Sequence, residues 1–252
     1  MRQKKLQQGR DTTMSPGPED LLISFPRGSL QARLVRREKR FRVEVETHDG
    51  PFWVHCNNSG SMLGLLKAGS PVLVSPAPAR GRTLAYTLEL IQVAGLWVGV
   101  NTLVPNRILR LAWEAGLLPE IRGYESFRNE VGTGGSRLDA RLEGPAGTAW
   151  IEAKNVTLVE DGVAYFPDAV TVRGRKHLRE LCSLARSGNR CACFYLVQRQ
   201  DARCFSPADF IDPSFAEIFR EALEAGVEVW PHTARVSPAG IGLGSRLPLV
   251  AG

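Results

Sequence analysis

One group of residues in this 252-residue chain could carry a reaction. It comprises Asp139, in Ser136-Arg137-Leu138-Asp139, and Glu152 with Lys154, in Trp150-Ile151-Glu152-Ala153-Lys154-Asn155. Strand residues two apart share a face, so Glu152 and Lys154 point together and Ile151 and Ala153 point away. Asp139 likewise lies opposite Leu138 and Ala140. If the two strands are neighbours, two carboxylates and an ammonium converge. Such carboxylates do not both ionise easily unless a cation separates them. A hard divalent ion, Mg²⁺ or Mn²⁺, would meet that need, polarise a phosphodiester and help generate hydroxide. Lys154 would steady the attacking water or the charge growing on the phosphate. On that reading Asp139, Glu152 and Lys154 would be the catalytic residues, with Asp139 and Glu152 as metal ligands. Glu130, in Phe127-Arg128-Asn129-Glu130, is expected as a third carboxylate from a preceding helix. The competing reading is a solvated strand face with a weak ion pair.

The elements that must hold these residues fall into two groups. From Leu21 to Asn101 short strands alternate with Gly, Pro, Asn and Asp. Phe41, Val43 and Val45 alternate with Arg42, Glu44 and Glu46, the period of a half-buried strand. His48-Asp49-Gly50 turns the chain, and Phe52, Val54 and Cys56 share the inner face of the next strand. Further strands are expected at Val72–Ser75, Thr83–Ile91 and Leu96–Val100, with a helical turn around Met62–Lys67. This pattern fits a small β-barrel of the OB type, although other small barrels would look alike. Beyond a boundary between Asn101 and Asn106 the period becomes mixed. Ile108, Leu109, Ala112 and Trp113 mark a helix that Gly116 ends. Strands at Ser136–Leu142 and Ala149–Val156, a helix over Arg175–Arg186 and an apolar strand at Cys191–Val197 follow. Asp212-Pro213 opens a helix that Gly226 closes, before a strand at Val227–Trp230. Helices mixed with strands imply an α/β domain. The expected division is a tail over residues 1–20, a barrel over 21–103 and an α/β domain over 104–252.

The formal net charge is +6, and Arg33, Arg36, Arg37, Lys39, Arg40 and Arg42 crowd one short segment. A basic patch suits a polyanion, DNA above all, or simply guards a hairpin edge. Arg40 and Arg42 are the expected phosphate contacts. Trp53 and His55 face away from the barrel interior, so Trp53 could stack on a base or cover a domain interface. Asn58, Ser59 and Ser61 form a polar turn that could bind a nucleic-acid backbone or be purely structural. The five cysteines are scattered, and Cys191 and Cys193 sit in an apolar strand, which points to reduced core thiols. No apolar run spans a bilayer and the start lacks a secretory pattern, so a cytoplasmic location with no membrane partner is expected.

Longer words carry a resemblance. Asn57-Asn58-Ser59-Gly60-Ser61-Met62, Glu152-Ala153-Lys154-Asn155-Val156-Thr157-Leu158, Phe166-Pro167-Asp168-Ala169-Val170-Thr171, Arg173-Gly174-Arg175-Lys176-His177-Leu178, Val197-Gln198-Arg199 and Val236-Ser237-Pro238 occur in this order. Together they resemble the sugar fermentation stimulation protein A family of prokaryotic DNA-binding proteins. The resemblance implies an N-terminal OB fold and a C-terminal restriction-endonuclease-like, PD-(D/E)xK domain, in which Asp139, Glu152 and Lys154 take the metal-binding and water-activating roles and Glu130 the upstream acid. Arg175, standing where glutamine is frequent in the family, could contact phosphate. Lys176 and His177, opening a helix beside the site, could approach the scissile phosphate. The alternative is a non-catalytic DNA-binding regulator on a nuclease-like fold. A sugar-binding barrel is weaker, because sugars offer no charge to the basic segment. A homodimer would suit two-strand cutting, though no residue demands one.

Overall fold

The computed structural model describes residues 22–77, 83–133 and 135–250. The expected tail over 1–20 lies outside them. The chain opens with strand β1 (Ile23–Ser24), then forms β2 (Leu30–Glu38), β3 (Arg42–Thr47), β4 (Gly50–His55), β5 (Pro71–Pro76), β6 (Tyr86–Val93) and β7 (Leu96–Gly99). Strands β2 to β7 lie in the order β4-β3-β2-β5-β6-β7, and β4 closes onto β6 where His55 meets Thr87. This is the closed five-stranded OB arrangement, with β7 added as a hairpin partner of β6. Alternation fills it: Leu34, Val43, Val45, Val54, Val72, Val74, Leu88 and Val98 are buried inside.

Three local expectations change. Residues Met62–Lys67 form turns, not a helix, because Met62 and Gly64 take positive φ (55° and 76°) while Met62 and Leu65 plug the barrel end. Phe41 is 48 % exposed and does not continue the inward row of Val43 and Val45. Lys39 and Arg40, both left-handed at φ 47° and 64°, swing the chain outward before β3 begins. Finally, β1 does not belong to the barrel. It pairs antiparallel with the far C-terminal strand, Ile23 opposite Ile241.

The remaining elements are α1 (Val104–Glu114), β8 (Ser126–Gly132), β9 (Arg137–Gly144), β10 (Gly147–Val156), β11 (Leu158–Glu160), β12 (Val163–Phe166), α2 (Val172–Arg186), β13 (Arg190–Val197), β14 (Cys204–Pro207), α3 (Pro213–Glu224), β15 (Glu228–Ser237) and β16 (Gly240–Arg246). Seven strands form one sheet in the order β1-β16-β15-β13-β10-β9-β8, with β10, β13 and β15 parallel at its centre. Strands β11, β12 and β14 make a small second sheet.

Helix α1 packs on one face of the large sheet, over Ala149, Ile151, Phe194 and Trp230. Helices α2 and α3 pack on the other, over Cys193, Tyr195 and Val197. The central parallel strands are therefore apolar on both sides. Leu73 and Leu90, on the outside of the barrel, join the α1 core and seat the barrel there. Helices α2 and α3 start where a side chain caps them: Thr171 accepts the Gly174 N–H at 3.0 Å, and Asp212 accepts the Phe215 N–H at 3.0 Å. Among the described residues, no helix is long and apolar enough to cross a membrane.

Candidate active site

Strands β9 and β10 pair regularly from Gly144 opposite Gly147 to Ala140 opposite Ile151. There the ladder stops and the strands part. Asp139 fills the gap: its Oδ2 accepts the Ala153 N–H at 2.9 Å, in place of the next backbone rung. Its Oδ1 accepts a hydrogen bond from Asn106 Nδ2 at 2.8 Å, which ties it to α1. Burial, and then the nearby Glu152 charge, push the Asp139 carboxyl above the ordinary aspartate range, against the opposing pull of Lys154.

Glu152 is 2 % exposed. Burial alone would raise its pKa, but Lys154 and His177 outweigh that effect and hold it below the ordinary value. Both Lys154 Nζ and His177 Nδ1 approach the same oxygen, Glu152 Oε1. The other oxygen, Oε2, is buried and has no partner. Arg173 Nε donates to His177 Nε2 at 3.4 Å. The imidazole can then carry its proton on Nδ1 and donate it to Glu152. Two adjoining carboxylates, one with a spare buried oxygen and one resisting ionisation, are a donor set for a hard divalent cation. Among the described residues no three His, Cys, Asp or Glu side chains gather as a ready cage. Such an ion would need waters and a phosphate oxygen to complete its shell.

Lys154 also faces a cleft of about 500 Å³ between barrel and sheet domain. Arg40, Asn58, Ser59 and Thr102 line it from one side, and Tyr165, Val170 and Arg173 from the other. The domain contacts beside it are polar and close. Ser61 Oγ donates to the Asp168 carbonyl at 2.5 Å, and the Met62 N–H donates to Asp168 Oδ2 at 2.8 Å. Gly60 permits this approach, since a Cβ there would lie 2.7 Å from Asp168 Oδ1. At the end of the barrel, Asn57 donates to Asn101 Oδ1 at 3.0 Å, and buried Gln198 of the sheet domain bridges the Asn101 carbonyl and Asn155 Oδ1.

Comparison with known proteins accounts for this pairing of domains. Residues 35–100 match the SfsA N-terminal OB domain, and residues 103–240 match the sugar fermentation stimulation protein RE domain. The chain belongs to the sugar fermentation stimulation protein family. A homolog from Syntrophobacter fumaroxidans is 64 % identical, over 91 % of this chain and 88 % of its own length. One from Maridesulfovibrio salexigens is 52 % identical, over 91 % and 98 %. Among solved structures, Pyrococcus furiosus SfsA in complex with Ca²⁺ superposes with a TM-score of 0.86 at 28 % identity, covering 92 % of this chain and 99 % of that one. The fold is accordingly an OB barrel followed by a restriction-endonuclease-like α/β domain.

Within this family member, the expected site residues separate into three groups. Asp139, Glu152, Lys154 and His177 come together as described. Arg40 and Ser59 reach the cleft, and Lys176 is exposed on α2. Glu130 requires correction. It lies on strand β8 rather than a helix, in a left-handed conformation at φ 50°. Its carboxylate pairs with Arg137 at 3.1 Å, with both side chains about two-thirds exposed (64 % and 67 %). Arg137 engages this carboxylate, although the ladder from Asn129–Ala140 to Val131–Leu138 sets the Glu130 and Asp139 backbones side by side. Arg175 is also redirected. It faces buried Asp212 at 3.7 Å, the residue that caps α3 and accepts the Thr171 N–H.

The polar turn is structural in two of its three named members. Asn58 is buried and its Oδ1 accepts the Gly60 N–H, while Ser61 serves the Asp168 contact. Trp53 lies on the outer barrel face, away from the domain interface, with the Arg36 and Arg42 guanidiniums 5.2 and 4.6 Å from its ring centre. It holds arginines in place by cation–π attraction. Cys191 and Cys193 are buried free thiols, each pushed up to about 12 by burial. Asn106 and Arg173 are not among the expected residues. The partner of Asn106 lies 33 positions away, whereas Arg173 stands one helical turn before His177, a spacing that could have signalled it had the helix start been placed at Val172.

Proposed function

We propose that this protein binds DNA and hydrolyses its phosphodiester bonds with Mg²⁺ or Mn²⁺ held by Asp139 and Glu152, in the cytoplasm. The observation that carries this reading is the break between β9 and β10. It sets two carboxylates of opposed ionisation tendency beside Lys154, which lines a cleft together with Arg40 and Arg173. The Ca²⁺ complex of the Pyrococcus furiosus relative supports a divalent ion in this fold. When bound, such an ion supplies charge neutralisation at the phosphate and a more acidic water.

The chain's own residues do the rest. Asn106 and the Ala153 N–H fix the Asp139 carboxylate, and His177 fixes Glu152. Lys154 releases Glu152 Oε1 as phosphate enters and turns its ammonium toward the attacking water or the developing negative charge. Arg173, beside the N-terminus of α2, meets a neighbouring phosphate, which the helix dipole also favours. Arg40 and Arg42 bind the flanking backbone.

One observation favours a binding-only protein: Lys154 already pairs with the Glu152 charge, and His177 hydrogen-bonds the same oxygen, without an ion. Incubating supercoiled and single-stranded DNA with Mg²⁺ or Mn²⁺ decides between the two. Cutting by the wild type that disappears in Glu152→Gln and Lys154→Ala, with DNA binding retained, supports hydrolysis. Binding without cutting under either metal leaves the regulator reading.

A further inference from the structure

The nucleic acid that enters this protein must pass the cleft, and the shape of the cleft limits what can enter. Lys154 lies at its base, where the chain leaves β10. One wall is the barrel turn 58–61, and the opposite wall is the segment 165–173 ending in the first turn of α2. The walls are joined rather than merely adjacent. The Ser61 and Met62 bonds to Asp168 close one side, and the Gln198 bond to the Asn101 carbonyl, with the Gly99 N–H on the Gln198 carbonyl at 2.9 Å, closes the other. Gly60 and Gly99 show how tightly, since a Cβ at Gly99 would meet Gln198 Oε1 at 2.0 Å.

We propose that this cleft takes a single unpaired DNA strand and excludes a duplex, so that the substrate is single-stranded DNA or the single-stranded part of a branched or frayed end. The proposal rests on the phosphodiesterase reading of Lys154 and adds the substrate class. In a duplex the second strand follows the first across grooves about 6–12 Å wide. Here the turn 58–61 and residues 165–173 line the cleft with Lys154 and are hydrogen-bonded to each other, which bars that side to a second strand. A lone strand fits the chemistry of the walls. Arg40, Lys154 and Arg173 offer positive charge at both rims and the base. The Tyr165 ring, set at 83° to Phe210 with centroids 5.1 Å apart, offers a surface for an unstacked base. Val170 is 65 % exposed at the rim, where an apolar side chain suits a base and not a phosphate.

The test measures binding in EDTA, so that hydrolysis plays no part. A fluorescein-labelled 12-residue oligothymidylate and a hairpin duplex of equal charge are titrated against the full-length protein by anisotropy. The single strand should bind at least tenfold more tightly than the hairpin. Ser59→Trp, at an exposed position, should fill the cleft and lower single-strand affinity at least tenfold without lowering the melting temperature. Val170→Glu should lower it several-fold by placing a carboxylate at the rim. Equal affinity for strand and hairpin, with both variants behaving as wild type, overturns the proposal. The two readings fail separately. Strand binding that Ser59→Trp abolishes, in a protein that cuts nothing, keeps the cleft and removes the hydrolase. Nicking of closed duplex plasmid that Ser59→Trp leaves intact keeps the hydrolase and removes the cleft.

Discussion

Two buried carboxylates in this molecule look alike at first. Glu152 faces α2 with His177 and Lys154, and Glu120, on the other face of the large sheet, meets His232 at 3.3 Å and Arg246 at 3.0 Å. Each keeps one buried oxygen without a partner, and each is held below the ordinary glutamate range, Glu120 chiefly by the His232 hydrogen bond. An acid, a histidine and a cation are therefore not enough to define a site, and neither is an orphan oxygen. What Glu120 lacks is a second carboxylate and an approach: Asp139 adjoins Glu152, and the cleft reaches Lys154 but not Glu120. The Glu120 group ties the turn after α1 to β15 and β16, a structural duty.

The comparison breaks most visibly in cleavage. Asp139→Asn and Lys154→Ala should each lower metal-dependent cutting on the order of 10²-fold or more, while His232→Ala should leave the rate within about twofold of wild type once folded protein is compared with folded protein. Initial rates on labelled DNA measure this, and a large loss in His232→Ala would erase the distinction. Next in size is the response to metal. At an ion concentration of 100 Kd the wild type should gain about 2.7 kcal/mol, and Asp139→Asn little of it, read from melting with and without Mn²⁺. Conversely, His232→Ala should cost about 1–3 kcal/mol in urea unfolding, because Glu120 loses its imidazole partner and keeps Arg246 alone.

A pH series sharpens the contrast within the site. Asp139 has a raised folded pKa, so the metal-free fold takes up its proton earlier than the unfolded chain, and acidification through that window favours the fold. Glu152, with a depressed pKa, contributes stability above the ordinary glutamate range and loses it as pH falls through its lowered value. The gain in melting temperature from metal should consequently decline on acidification, starting above the pH at which an ordinary aspartate titrates. A metal-induced shift that is flat down to pH 4 would contradict this. The smallest effect is expected on the barrel, where Arg42→Ala should reduce the salt slope of DNA binding by about one and cut affinity evenly across sequences.

Much of this was legible in the residues. Strand alternation is a strong constraint, so the common face of Glu152 and Lys154 and the buried row of Val43 and Val45 follow from two-residue spacing alone. The caps at Thr171 and Asp212 differ in this respect: Asp212-Pro213 announces a helix start, whereas Thr171 precedes Val172 and Arg173 and leaves the opening of α2 three residues later in the pattern. Glu130 was misplaced because Phe127 is the lone buried member of its segment, too little to separate helix from strand. The polar turn at Asn58–Ser61 left binding and structural roles open, and the Phe166–Thr171 segment stood out only as a word of the family resemblance. Their partner is the other one, more than 100 positions away, and no local period can report such a pairing.

The placement of β1 has a further consequence. The polypeptide lays down an edge of the α/β half first, with Gly240 leaving room for the Ile23 carbonyl that a Cβ would meet at 2.1 Å, and only then builds the barrel and returns through α1. The barrel is thus a guest inserted between two stretches of its host. Severing the chain at the junction near Asn101 would not yield two self-sufficient pieces: it would strip β16 of its neighbour and leave unpaired amides inviting another molecule to dock there. Excision of the whole host must carry Leu22–Phe25 along.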